Sequence, residues 1–188
     1  MIGDDDNMNK WNETDMNETI VNETCVYVRE NFWSAGKTEI VNESRRTVGE
    51  LDLLSAFHSG VNVLDPHGRV LCRGSFRFFS NKWLVATGSG EEIGLLKGKL
   101  SLFSKKFAYE SYRNGMFTIQ SPAFSREFDV LNEAGRRVAR FEKMSGFFSS
   151  GAYRLTIDRS SLPMPEFICV VMGVNAIMKR RRSQAATT

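Results

Sequence analysis

From residue 24 onward, short runs of alternating apolar and polar residues follow one another, separated by Gly, Asn and Asp. The runs are 25–33, 37–42, 46–57, 61–65, 69–79, 82–87, 91–103, 106–112, 115–120, 124–131, 136–147 and 152–158. No helical period lies between them, so they predict antiparallel strands joined as hairpins rather than by crossovers. In 69–79 the period of two puts Val70, Cys72, Gly74, Phe76 and Phe78 on one face and Arg69, Leu71, Arg73, Ser75 and Arg77 on the other. In 91–103, Gly94, Leu96, Gly98, Leu100 and Leu102 alternate with Lys97, Lys99 and Ser101. Each strand therefore has a core face and a wet, largely basic face. The turns suit their places: Asp65-Pro66-His67-Gly68 reads as a type I turn, and Asn114-Gly115 as a two-residue hairpin.

An internal repeat runs through the strands. Val63-Leu64-Asp65-Pro66-His67-Gly68-Arg69 recurs as Val130-Leu131-Asn132-Glu133-Ala134-Gly135-Arg136, offset by 67. Val48, Ile93 and Val138 lie 45 residues apart, and each leads to a Ser (Ser59, Ser104, Ser149) with Phe57, Phe103 or Phe148 just before it. Both offsets are near multiples of about 22, the length of a two-strand unit with strands of roughly 10 residues. Such a sheet of repeated hairpins is too small for a propeller and suits one closed barrel.

The last segment differs in pattern. After Pro163 and Pro165, residues 167–178 are apolar all round apart from Gly173 and Asn175, and Lys179-Arg180-Arg181-Arg182 follow. Pro at the start and basic residues at the end mark a helix. A helix apolar on every side must be buried on every side. Its apolar stretch spans about 18 Å, short of the roughly 30 Å of a bilayer core. The expectation is a helix threaded through the barrel; the rival is a short C-terminal membrane anchor.

Composition adds the ends and the charge. With 188 residues, 41% hydrophobic and 25% charged, the chain can bury the core of one domain. Residues 1–24 carry a net charge of −6 and the remainder +9. Residues 1–23 have no apolar run for a signal peptide and repeat Asn-Glu-Thr at Asn12, Asn17 and Asn22, so they read as a disordered acidic tail. The expected organisation is this tail, a barrel domain over 24–180 and a C-terminal tail over 181–188. Cys25, Cys72 and Cys169 are scattered and odd in number, which points to reduced thiols rather than a disulfide framework or zinc site.

A dozen antiparallel strands around an apolar C-terminal helix resembles the Tubby C-terminal superfamily, and within it the LURP-one-related branch, whose cousins are the phospholipid scramblases. The carrying residues are Val63–Arg69 with Gly74–Ser80, Ile93–Ser104, Phe128–Gly135 and the helix Phe167–Met178. The resemblance covers roughly residues 24–180 and rests on turn and core positions. It implies a barrel wrapped on a central helix. Tubby proteins imply phosphoinositide binding through basic side chains and scramblases imply lipid handling, although the Pro-rich N-terminus and Cys-rich segment of scramblases are missing from this sequence.

The sequence offers no constellation of acid, base and nucleophile. Thr87-Gly-Ser-Gly90-Glu-Glu-Ile-Gly94 lacks the Lys-Ser/Thr of a phosphate loop and reads as a turn. No GxSxG, HExxH or calcium loop occurs, and His58 and His67 stand apart. No enzyme activity, cofactor or metal is expected. The remaining signal is basic: Arg73, Arg77, Lys97, Lys99, Lys105 and Lys106 are candidate phosphate-binding residues. The expected function is a non-enzymatic module binding an anionic lipid headgroup, phosphoinositide-like, or a protein partner. The alternative is a scramblase-like, membrane-associated protein. Nucleic acid is not expected as a partner. A monomer is the expected state, and the expected location is cytoplasmic with peripheral membrane attachment.

Overall fold

A computed structural model describes residues 19–29, 36–54, 60–99, 104–122, 127–146, 151–158 and 160–186. The strands are β1 (Cys25–Arg29), β2 (Gly36–Val41), β3 (Thr47–Leu54), β4 (Gly60–Leu64), β5 (Val70–Phe76), β6 (Trp83–Thr87), β7 (Glu92–Lys99), β8 (Ser104–Ser111), β9 (Gly115–Pro122), β10 (Phe128–Leu131), β11 (Arg137–Met144) and β12 (Ala152–Ile157). Each pairs antiparallel with its chain neighbours, and β1 pairs with β12, so the sheet closes into a barrel with no free edge. All twelve apolar–polar runs of the sequence become strands, because alternation is what a wall dry on one face and wet on the other requires.

The repeat of about 22 residues is a repeat of turns. Asn42, Asp65, Thr87 and Asn132 each open a five-residue turn of one design. The N–H of the first residue donates to the carbonyl of the fifth, at 3.0, 2.9, 2.8 and 3.0 Å in that order. The first residue's side-chain oxygen accepts the N–H of the fifth, at 3.0, 2.8, 3.1 and 2.9 Å. The fourth residue is left-handed, and it is Gly in three turns and Arg45, with φ 61°, in the other. Thr87–Glu91 is therefore a turn and not a phosphate loop. At β8–β9 the loop is three residues long, with Gly115 at φ 85°, rather than the two-residue turn expected of Asn114-Gly115.

Through the barrel runs α1 (Met164–Ala185), with Pro165 in its first turn. Its 22 residues span about 33 Å. Phe167, Ile168, Cys169, Val170, Val171, Met172, Val174 and Ile177 are all buried. These residues are therefore enclosed by the wall and do not form a membrane anchor; among the described residues no helix is long and apolar enough to cross a membrane. The helix does not stop at the basic cluster: it continues through Lys179–Arg182 to Ala185, so most of the expected tail 181–188 is helical.

A buried hydrogen bond inside the barrel joins helix to wall. Trp83, at the start of β6, donates its indole N–H to the carbonyl of Cys169 at 3.0 Å. Its ring lies between Gly173 of α1 and Gly74 of β5: a Cβ on Gly74 would come within 2.7 Å of it, and one on Gly173 would collide with it. Opposite, Phe128, Phe141 and Tyr153 stack with centroids 4.8 and 4.7 Å apart and fill the wall from β10 to β12. Phe78 corrects the expected face pattern. β5 ends at Phe76, and Phe78 is in the following turn, exposed rather than inward. Leu100 and Leu102 lie outside the described residues.

The acidic N-terminal segment is not uniformly solvent-facing. Ile20, in a single 3-10 turn (Ile20–Asn22), is fully buried with the core, beside Gly49 of β3. The apolar core thus begins before residue 24, inside the segment expected to be a tail.

Two outcomes are expected. Gly173→Ala should destabilise by about 1–3 kcal/mol through overpacking against Trp83, although Ala is the better helix former by about 1 kcal/mol. Urea denaturation followed by circular dichroism measures the sign, and a stabilised variant would mean that Trp83 is not wedged there. Ile20→Ala should cost about 2–5 kcal/mol as a buried truncation. An unchanged urea midpoint would return Ile20 to the tail.

Candidate functional site

The two ends of α1 meet opposite chemistry. Near its start, Glu166 is buried, and the Tyr109 hydroxyl donates to its Oε1 at 2.6 Å. Burial raises the Glu166 carboxyl above its ordinary range, and hydrogen bonds from Tyr109 and Ser111 with the charge of Arg113 only partly offset it. The same burial, with Glu166 beside it, pushes the Tyr109 phenol up. This buried pair ties the helix start to β8. Cys72 and Cys169, on wall and helix, are buried free thiols in hydrogen-bond contact, and burial pushes the Cys169 thiol up. Cys25 is free and half-buried. No group of three or more His, Cys, Asp or Glu among the described residues is placed to hold a metal.

Arginines are densest on the outer face of β10–β12, and there they are neutralised. Arg136 pairs with Asp158 at 3.0 Å, Arg140 with Glu142 at 3.0 Å, and Arg154 with Glu142 at 2.6 Å. Arg137 and Arg140 flank Asp129 at 3.6 and 3.7 Å. Burial pushes the Glu142 carboxyl up, but the two arginines outweigh it and leave it below its usual range. This face is an internally compensated network.

The other end of the helix differs. Phe76 at the end of β5 lies under Arg180, 4.7 Å from ring centroid to guanidinium, and Arg181 passes Gly98 near the end of β7 and reaches the Phe107 ring at 6.0 Å. The helix therefore leaves the barrel beside β5–β8. Lys99 and Lys106 sit directly opposite each other in the β7–β8 register, both exposed. Lys97 lies two residues along and bonds Glu110 at 3.3 Å. Arg77 and Lys82 close the β5–β6 turn through the bond from Arg77 N–H to the Lys82 carbonyl at 2.9 Å. Among the described residues, Arg77, Lys82, Lys99, Lys106, Lys179 and Arg182 form no ion pair.

Of the six sequence candidates, Arg77, Lys97, Lys99 and Lys106 thus come together at this end. Arg73 is exposed farther down β5, opposite Asn62 and Ala86. Lys105 is in β8, and its side chain lies outside the described residues. Lys82 was missed: it is a single lysine in a turn, and only the hairpin brings it beside Arg77. Lys179–Arg182 were legible as a cluster, but their position over β5–β8 depends on where the helix exits.

The chain is thus a closed antiparallel barrel threaded by its C-terminal helix, with a cationic rim at the helix exit. The sequence model for LURP-one-related proteins matches residues 24–171, and the chain belongs to that family. A solved X-ray structure of an Arabidopsis thaliana protein has the same fold, with a TM-score of 0.55, 11% identity, and coverage of 80% of this chain and 90% of that one. No curated protein matches the sequence.

Glu166 sets a pH dependence. A carboxyl whose folded value is raised contributes fully below its unfolded value, about 4.3, and loses that contribution as pH rises through the folded value. Glu166→Gln, which keeps an acceptor for Tyr109 but cannot ionise, should gain stability relative to the parent as pH rises above about 4.3. Thermal midpoints of both proteins from acid to neutral pH check this. A constant difference would mean that Glu166 titrates normally.

Proposed function

We propose that this protein is a non-catalytic module that binds anionic phospholipid headgroups at the cationic rim around the helix exit. The observation that carries the reading is Lys99 facing Lys106 in register, with Arg77, Lys82, Lys179 and Arg182 nearby and no ion pair among the described residues. Like charges directly opposite on a sheet destabilise it. The helix dipole accounts for cations in the last helical turn, but not for those on β7, β8 and the β5–β6 turn. A phosphate surface would compensate all of them through charge-assisted hydrogen bonds. The arginines of β10–β12 already have acidic partners and are poor competitors for that role.

Cosedimentation with phosphatidylcholine vesicles, with and without phosphatidylserine, tests this. Binding should require the anionic lipid and weaken with salt. Each surface Lys is worth about 1 kcal/mol near such a membrane, so Lys99→Gln with Lys106→Gln should weaken binding roughly 10–30-fold. Equal binding by the double variant, or binding to phosphatidylcholine alone, would count against the rim.

A further inference from the structure

We propose that the tip of the β5–β6 hairpin, Phe78-Phe79, inserts between the headgroups of an anionic bilayer, so that the barrel stands on the membrane by its helix-exit end. This rests on the headgroup-binding reading and adds an apolar anchor and an orientation to it. Phe78 and Phe79 are 83% and 93% exposed, with ring centroids 4.1 Å apart. The other exposed large hydrophobics among the described residues, Val21, Leu54, Tyr112 and Met116, are isolated in sequence.

The tip is held, not frayed. Ser80 N–H donates to the Arg77 carbonyl at 3.1 Å, Lys82 N–H to the Ser80 hydroxyl at 2.9 Å, and Arg180 of the helix to the Ser80 carbonyl at 3.3 Å. Phe79 has φ 50°, a left-handed conformation that disfavours a bulky residue and that four other turns leave to Gly or Arg. A Phe held there with its ring in water is unfavourable twice over, in backbone and in solvation, and both point to a role outside the folding of the hairpin.

The surroundings select the occupant. Arg77 and Lys82 bracket the turn that carries the two rings, and the helix reaches the same hairpin through Arg180. Aromatic rings pointing outward amid cations match a layer of phosphates over acyl chains, where rings sit just below the headgroups.

The test uses the full chain, vesicles of phosphatidylcholine with phosphatidylserine, and the variant Phe78→Ser with Phe79→Ser. Both side chains are in solvent, so the thermal midpoint should hold. The parent should retain part of its vesicle binding in high salt. The variant should bind at least about tenfold more weakly and be released fully by salt. In a separate Phe79→Trp variant, emission should be quenched by brominated acyl chains beyond the parent's own tryptophan signal. Binding unaffected by the Ser substitutions, with no added quenching, overturns insertion and leaves the headgroup reading standing. A parent that ignores anionic vesicles overturns both. A parent that is dimeric in light scattering and becomes monomeric on Phe78→Ser with Phe79→Ser makes the tip an interface between copies, and also overturns insertion.

Discussion

The wedge of Trp83 between Gly173 and Gly74 is the contact on which the other features depend. A helix apolar on all faces has no stable place in water, and a twelve-stranded wall has a lumen too wide to be filled by its own side chains. Each solves the other's problem, provided the helix stays at one depth and rotation. The indole sets both, because its ring fits only where two residues lack a Cβ and its N–H reaches only the Cys169 carbonyl. Fixing that depth places Glu166 against Tyr109 at one end and Arg180 over Phe76 at the other.

The same geometry separates two kinds of charge. On β10–β12, arginines pair with nearby carboxylates, and Glu142 holds both Arg140 and Arg154 within hydrogen-bond range. Around the helix exit, cations from the β5–β6 turn, β7, β8 and the helix converge with little acid among them: Glu110 is taken by Lys97. Paired charges on a wet face contribute modestly to stability, whereas a one-signed rim creates a field that extends about a Debye length into solution. The first arrangement serves the barrel, and the second is what an anionic partner would meet.

The twelve strands and the turns at Asp65 and Thr87 were legible in sequence because they rest on local rules. Alternation follows from the pleat, and the Asn42, Asp65, Thr87 and Asn132 turns follow from a short side-chain oxygen capping an N–H four residues on. The burial of 167–178 was legible for the same reason, since no one-sided environment suits such a helix. Phe78 was misread because alternation carries no mark of where a strand ends; Phe76 is the last residue to pair before the turn.

The tertiary structure alone decided what meets what. Nothing local joins Trp83 to Cys169, 86 positions away, or lets Ile20 leave an acidic stretch to fill the barrel mouth. Arg73 and Arg77 share a sequence parity, but only Arg77 lies at the helix exit, because the hairpin ends there. Lys99 and Lys106 become opposed through the β7–β8 register, which depends on the whole closed ladder. Composition and period determined the wall and its filling, since each residue's own chemistry dictates which side it faces. The cationic rim with its aromatic tip came from closure, because only a closed barrel brings distant hairpins and the helix end to one rim.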